Sequence, residues 1–463
     1  MPESWSSSRV DLHLEVAPGG RRSGLESALR AAIREGRLTS GTLLPSTRGL
    51  ATELGLSRGT VTAAYDQLAE EGYLIIRPGS GTRVADLPPQ NPPAIRNVDE
   101  HTPLHDLRPG RPDVSAFPTR AWLAATRRVL SRNTRDVFGI GDPQGRIELR
   151  RALAEYLGRT RGVRTSPDQI IVTSGYYQGV GLLSRALRAG GIETAACEDP
   201  GHDAYRGAVE RRLRIEALPV GSEGAQIETI SKQAGAVFLT PSHQYPTGVP
   251  LHPKRRQAVC AWARATGGLV IEDDYDGEFR YDRQPIGALQ GIAPEHVVYG
   301  GSASKTLSPV LRLGWLAVPQ DLVAPLTAAK EEADFYTEAL GQLVVAELIT
   351  SHAYDRHIRA SRLRYRRRRQ LLLDRLAAFP ELTVHGVPAG LSMMVTGLNE
   401  AEALARCAQQ GIALRGLTDL HHDPITSPGG LIIGFAAPPE RQYPETLNAL
   451  CNTLTPNAVR PPS

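Results

Sequence analysis

An amine, an acidic run and a hydroxyl-rich turn, each directly after an apolar stretch, hold most of the chemistry this sequence offers. Only four of the 53 basic residues are lysine: Lys232, Lys254, Lys305 and Lys330. Lys305 lies in Gly300-Gly-Ser-Ala-Ser-Lys-Thr-Leu-Ser-Pro-Val-Leu-Arg312, a small-residue loop following a predicted strand, whereas the other three read as surface lysines. A lysine kept in such a loop suits an amine that condenses with a carbonyl. Ile271-Glu-Asp-Asp-Tyr-Asp-Gly-Glu-Phe279 follows another apolar strand. There Asp273 can keep a ring nitrogen protonated, and Tyr275 can place its hydroxyl at a phenolic oxygen. Thr173-Ser174-Gly175-Tyr176-Tyr177-Gln178 ends a third strand and opens a helix, where backbone amides suit a phosphate. Ser302 and Arg312 bring a hydroxyl and a guanidinium to the same group. His202, in Asp199-Pro-Gly-His202, can stack on an aromatic ring, although a lone histidine at such a place is as a rule structural. An amine, an acid facing a pyridine nitrogen, a group at the phenolic oxygen and a phosphate cup are what pyridoxal 5'-phosphate requires. Taken alone, Asp-Asp-Tyr-Asp would equally suit a metal or a solvated loop.

These residues need strands to carry them. Short β-rich runs fall at Ile170–Thr173, Thr194–Cys197, Leu213–Leu218, Ala236–Leu239, Leu269–Glu272, Val297–Tyr299 and Leu313–Val318, with helical stretches between many of them. Apolar strands separated by helices predict an α/β fold with a mainly parallel sheet covered on both faces. Such a sheet presents ligand loops at the carboxyl ends of its strands. Beyond about residue 350, helices alternate with short strands, which predicts a second, smaller lobe.

The first part of the chain reads differently. Ser23-Gly-Leu-Glu26 fits a capping box, with Leu25, Leu29, Ala32 and Ile33 on one helix face. Ser46 can cap a second helix and Ser57 a third, which buries Val61, Ala64, Tyr65 and Leu68; Gly55 makes the turn between them. This is a helix-turn-helix plan. Tyr73–Arg77 and Thr82–Ala85 flank Pro78-Gly79-Ser80-Gly81 and predict a hairpin wing. The first turn of the third helix (Ser57, Arg58, Gly59, Thr60) would enter the major groove of double-stranded DNA, with Arg48 at the backbone or a base edge. Arg77, Ser80, Gly81 and Thr82 would lie along the minor groove. The plainer alternative is a small helical module for protein binding or dimerisation.

Composition narrows the class. At 463 residues, 41% hydrophobic and 22% charged, the chain has room for a small and a large domain. No apolar run reaches membrane-spanning length, and the start has no signal-peptide layout. Cys197, Cys260, Cys407 and Cys451 lie far apart without a CxxC pair, which fits a reducing cytoplasm and no zinc site. Net charge is only +4, and residues 1–87 balance ten arginines against ten acids, so DNA binding must rest on arrangement. No internal repeat is present.

The stretch from Leu44 through Leu74, continuing into the wing Arg-Pro-Gly-Ser-Gly-Thr, resembles GntR-family winged helices. Arg108-Pro-Gly-Arg-Pro-Asp, Pro241-Ser-His-Gln-Tyr-Pro-Thr-Gly, Glu272-Asp-Asp-Tyr-Asp and Ser302-Ala-Ser-Lys make residues 106–455 similar to fold-type I aminotransferases. The whole chain resembles the MocR subfamily of GntR regulators. The resemblance implies a winged helix-turn-helix over 10–85, a Pro-rich linker over 86–104 and an aminotransferase-like domain of large and small lobes over 105–460. It also implies a cytoplasmic homodimer, head-to-tail, that binds pyridoxal phosphate and an operator DNA, each winged helix resting on the partner's large domain.

Two departures bear on function. Where aminotransferases carry Asn at the phenolic oxygen, this chain has Tyr245. Just before the final strand, where they carry Arg to fork a substrate carboxylate, it has Ser427, Pro428, Gly429 and Gly430. A carboxylate without that partner loses roughly 1.5–3 kcal/mol. The expectation is therefore a regulator with no catalytic residues, sensing pyridoxal phosphate itself as PdxR-type activators of vitamin B6 synthesis do. An amino-acid sensor using Arg415, Arg108 or Arg111, a working aminotransferase, and a repressor with a purely structural large domain are the alternatives. The run Arg356–Arg369 holds eight arginines and reads as either a second DNA contact or the solvated face of a long helix.

Overall fold

The computed structural model describes residues 21–86, 103–132, 137–282 and 286–454. The expected linker over 86–104 therefore lies outside the described residues except at its ends, as do positions 10–20 and 455–460 of the two expected domains. The chain separates into two compact units, 1–101 and 102–463.

The first unit holds α1 (Arg21–Arg34), α2 (Thr47–Glu53), α3 (Arg58–Glu70) and the antiparallel hairpin β1 (Leu74–Arg77) and β2 (Gly81–Val84). Helix α1 is already running at Arg21, so Ser23 sits inside its first turn and is not the cap expected of it. An Arg22–Glu26 pair at 2.7 Å spans that turn instead. Leu25, Leu29, Ala32 and Ile33 face a common core with Leu50, Val61, Ala64, Tyr65 and Leu68, as the 3.6-residue spacing predicts. The Ser46 and Ser57 hydroxyls accept from the amides of Gly49 and Thr60, each at 3.1 Å, and start α2 and α3. Gly55, at φ +63°, supplies the turn that a side-chain-bearing residue resists.

The second unit is built on an eight-stranded sheet ordered β4-β11-β10-β9-β8-β5-β6-β7. Its chain-order predecessor, β3 (His105–Asp106), lies elsewhere. The strands are β4 (Ile170–Thr173), β5 (Thr194–Asp199), β6 (Arg214–Gly221), β7 (Gly224–Ala225), β8 (Ala234–Leu239), β9 (Leu269–Asp273), β10 (Val297–Ser302) and β11 (Gly314–Ala317). Pairings from β10 through β9, β8 and β5 to β6 are parallel; β11 runs antiparallel to both neighbours. Alternate residues feed different cores: Val172 and Trp315 on one face, Ile171 and Leu316 on the other. Each such side chain contributes about 1.5–3 kcal/mol on burial. Helices α4 (Thr119–Arg132), α5 (Ile147–Arg161), α6 (Tyr176–Ala189), α7 (Asp203–Glu210), α8 (Pro253–Thr266), α9 (Gln320–Asp334) and α10 (Ala339–Thr350) belong to this lobe.

The smaller lobe follows the long helix α11 (Ala353–Leu376). Its antiparallel sheet runs β12 (Thr383–Val384), β13 (Ser392–Thr396), β16 (Leu431–Gly434), β15 (Arg415–Gly416), with α12 (Glu400–Gln409) and α13 (Tyr443–Leu454) against it. One feature differs from the expected boundary: β3 pairs in parallel with β14 (Ile412–Ala413), so residues 105–106 join this lobe through a non-local ladder. Among the described residues no helix is long and apolar enough to cross a membrane.

The arginine-rich run lies on α11 and serves two roles. Arg356, Arg359 and Arg366 are exposed, as a solvated face requires. Arg368 is fully buried and donates to Asp113 Oδ2 at 2.9 Å, the Ala436 carbonyl at 2.6 Å and Glu440 Oε2 at 3.0 Å. Removing one side of a buried pair costs about 3–5 kcal/mol, whereas an exposed arginine costs within about 0.5 kcal/mol. Urea unfolding of Arg368→Met should accordingly show a large loss of stability and Arg366→Met almost none; equal effects would contradict this division of the helix.

Candidate cofactor cleft and DNA-binding face

The acidic run at the end of β9 is organised by giving each carboxylate but Asp273 a partner of its own. Glu272 accepts from the amides of Leu289 and Gln290 at 2.9 and 3.1 Å, and burial pushes it up to about 7. Asp274 receives a fork from Arg161, at 2.6 and 2.7 Å, and the Tyr299 hydroxyl at 2.7 Å. Asp276 pairs with His243 Nδ1 at 2.8 Å. Asp273 alone of these four has no hydrogen-bond donor among the described residues, and it lines the cleft. Burial, and next the Asp274 carboxylate, push Asp273 well above the usual carboxylate range, while Lys305 pulls it down.

Lys305, Asp273, Tyr275, Tyr245 and His202 line one open cleft of about 820 Å³ together with Arg108, Gly110, Arg111, Tyr205, Thr240 and Arg415. The Lys305 amine donates to the Gly110 carbonyl. Gly110 is at φ +71°, a conformation that favours glycine, and a Cβ there would stand 2.9 Å from Lys305 Nζ and push the amine aside. Burial lowers the Lys305 amine below the usual lysine range, and the charges of Asp273 and Asp276 oppose that shift. Lys232 and Lys254 are exposed as expected. Lys330 is not the surface lysine expected: its side chain is fully buried and paired with Asp334 at 2.5 Å.

The residues expected to make a phosphate cup come together where three strand ends meet. Gly314 of β11 stands opposite both Thr173 of β4 and Ser302 of β10. A Cβ on Gly314 would lie 2.7 Å from the Tyr176 amide, so α6 starts against this corner. Its Ncap, Gly175, is at φ +87°, and the Arg312 guanidinium lies over it while Nη2 donates to the Ser174 carbonyl at 2.7 Å. The Ser174 hydroxyl donates to Asp334 at 3.1 Å, in the same network as Gln178 and Lys330. Amides at a helix start, a hydroxyl and a guanidinium fit a phosphate. With a buried acid and an amine facing one cleft, the donor set fits pyridoxal phosphate.

Other expected residues are placed with partners of their own. His202 stacks on Tyr205 at 3.9 Å, so one ring face is taken, and burial lowers the imidazole to about 4, leaving it neutral. The Tyr275 hydroxyl lies 3.1 Å from His243 Nδ1. Tyr176 lines an adjoining cavity with His202, Tyr205 and Asp273. Tyr245 sits in a buried apolar cluster with Met394, Leu417, Leu420 and Ile432, against which Tyr275 packs. Of the three arginines considered for a carboxylate, Arg108 and Arg111 are both bound to Asp106, and Arg415 to Asp203 at 2.7 Å. Sequence reasoning missed Tyr205, Thr240 and Arg161. Tyr205, one turn beyond His202, carried a usable signal; Arg161, 113 residues before its partner, carried none.

In the first unit, Arg48, Ser57, Arg58 and Gly59 of the helix-turn-helix are exposed, and Thr60 is half-buried. The Ser57 and Thr60 hydroxyls lie 2.7 Å apart and occupy each other. Arg77, Ser80 and Gly81 are exposed on the wing. Thr82 is the exception: it alternates inward between exposed Gly81 and Arg83 and is buried, so its side chain packs the wing and does not face a groove.

Comparison with known proteins agrees with both units. The family described as aminotransferase class I and II matches residues 106–450, and that of bacterial regulatory proteins, gntR family, matches residues 22–84. The chain is 32% identical to the HTH-type pyridoxine biosynthesis transcriptional regulator PdxR of Corynebacterium glutamicum, over 89% of this chain and 91% of that one. It is 31% identical to the probable rhizopine catabolism regulatory protein MocR of Rhizobium meliloti, over 92% of each. Among solved structures, kynurenine aminotransferase of Pyrococcus horikoshii superposes with a TM-score of 0.69 over 76% of this chain and 91% of that one; at 22% identity the likeness is one of fold.

The scarcity of lysine makes the cleft amine directly measurable. Amine labelling followed by mass spectrometry of the Lys305 peptide should give a midpoint below the usual lysine value. Asp273→Asn removes a charge that raises Lys305, so the midpoint should move further down. An unmoved or raised midpoint would show that the two groups do not face each other.

Proposed function

The chain belongs to the gntR-family regulators that carry a class I and II aminotransferase domain, and on that premise we propose that it binds DNA under the control of pyridoxal phosphate. In this reading it regulates vitamin B6 synthesis genes, and the aminotransferase-like domain senses and does not turn over a substrate. The cofactor, when bound, supplies an aldehyde and an electron-accepting ring. Lys305 would hold the aldehyde end and Asp273 the ring nitrogen. The first turn of α6, from Ser174, Gly175 and Tyr176, would hold the phosphate with Ser302 and Arg312. Tyr245 and Tyr275 belong beside the phenolic oxygen, and His202 along the ring. Because burial lowers the Lys305 amine, more of it is in the unprotonated form that reacts with a carbonyl.

The DNA side of the proposal rests on α2, α3 and the wing. Helix α3 would enter the major groove with Ser57, Arg58, Gly59 and Thr60 foremost, Arg48 reaching the backbone, and Arg77, Ser80 and Gly81 following the minor groove. A head-to-tail homodimer would present two such units to two half-sites.

One observation favours the cofactor over an amino acid as the signal. Every arginine lining the cleft is already paired with an acid of the chain, and the wall beside Tyr245 is apolar. An incoming carboxylate would therefore have to compete for its partner. The test is the absorption spectrum of the purified protein with added pyridoxal phosphate, then with separate amino acids. The expected result is a yellow band that requires Lys305, is lost in Lys305→Ala and ignores amino acids. A band that shifts at low concentration of one amino acid, or steady turnover with a keto acid, would overturn the proposal.

A further inference from the structure

The competition for the cleft's arginines has a specific geometry at Arg415. Strand β15 places Arg415 directly opposite Ile432 of β16, and Ile432 opposite Met394 of β13. Directly paired residues share a sheet face, so Arg415 projects on the same side as the apolar wall that carries Tyr245. Within that wall it is the group able to fork a carboxylate. Its guanidinium is taken up by Asp203 Oδ2 at 2.7 Å, with both side chains only about a third exposed, 28% and 36%.

Asp203 is an unusual occupant. It opens α7, where a negative charge is favoured. Among the described residues its second oxygen, Oδ1, is buried without a hydrogen bond, and so is His202 Nδ1, 3.6 Å away. A carboxylate is thus held by one oxygen on an arginine while the other remains unsatisfied, which leaves the pair poorer than a full fork. Arg415 also faces the Tyr245 hydroxyl, at the position where the sequence departs from an aminotransferase.

We propose that Arg415 is a carboxylate receptor of the cleft and that Asp203 is its internal occupant, excluding amino and keto carboxylates until it is displaced. The inference rests on the cofactor-sensing reading above and names the residue that enforces its ligand choice. Asp203 acts through Arg415 and is a positioning residue.

The test uses the full-length protein, with and without pyridoxal phosphate, titrated calorimetrically with propionate and with L-alanine. Wild type, Asp203→Asn and Asp203→Asn/Arg415→Gln are compared, and Asp203→Ser serves as a second opening variant at the same helix start. Opening the pair should tighten propionate binding by about tenfold to a hundredfold, the effect of one charge-assisted pair, and the double variant should lose the gain. No gain in either opening variant, or a gain that survives Arg415→Gln, would overturn the proposal. Failure of wild type to take up pyridoxal phosphate would instead remove the sensing reading, and the propionate titrations of the cofactor-free protein would still decide the gate.

Discussion

The buried fork between Arg161 and Asp274 is the constraint on which the cleft depends. Both side chains are nearly inaccessible to water, at 1% and 2%, and removing charges from water is costly unless they are paired and hydrogen-bonded. Here the Tyr299 hydroxyl and Ser242 complete the shell. Burial alone would lower the guanidinium, but Asp274 outweighs it and holds Arg161 charged. The consequence reaches the adjacent residue. With Asp274 turned to Arg161 and Glu272 turned to the amides of Leu289 and Gln290, the intervening Asp273 points to the cleft and meets the field of Lys305. An acidic run that would repel itself in open solvent becomes a single acid aimed at one place.

The same logic of prior pairing runs through the rest of the cleft. Arg108 and Arg111 share Asp106, and Arg415 has Asp203. Lys305, by contrast, rests on a backbone carbonyl of Gly110, and Asp273 has no hydrogen-bond donor among the described residues. These two, Lys305 and Asp273, are the groups that would meet the aldehyde and the ring nitrogen of a pyridine aldehyde. The groups that would hold a second ligand are occupied. This asymmetry is the feature on which the proposed reading of a cofactor receptor on a shared fold rests.

Much of this was legible in the sequence because it is local. Apolar strands between helices gave the sheet, strand-end loops located Lys305, Asp273 and Gly175, and caps at Ser46 and Ser57 marked the two helices of the DNA-binding unit. What escaped depends on how the elements pack. Lys330 has its partner Asp334 one helical turn on, but nothing in the local pattern shows that α9 turns the lysine inward, and nothing near Arg368 distinguishes it from exposed Arg366 except the angle at which α11 packs. The misplaced cap at Ser23 has a different cause: the Arg22–Glu26 pair supports a helix start further upstream than the capping pattern implies. Thr82 fell on the inward phase of a two-residue alternation that its polar side chain disguised. The β3–β14 ladder joins segments about 300 residues apart, beyond the reach of any window.

The central claim is that occupancy of the Lys305 cleft is coupled to DNA affinity, and a coupling free energy acts in both directions. The most direct measurement is the affinity of the full-length protein for a duplex it has selected from a random-sequence pool, by fluorescence anisotropy, with and without saturating pyridoxal phosphate, for wild type and Lys305→Ala. The account predicts a change of about fivefold or more on adding the cofactor to wild type and no change in Lys305→Ala. Equal affinities in all four cases would contradict it.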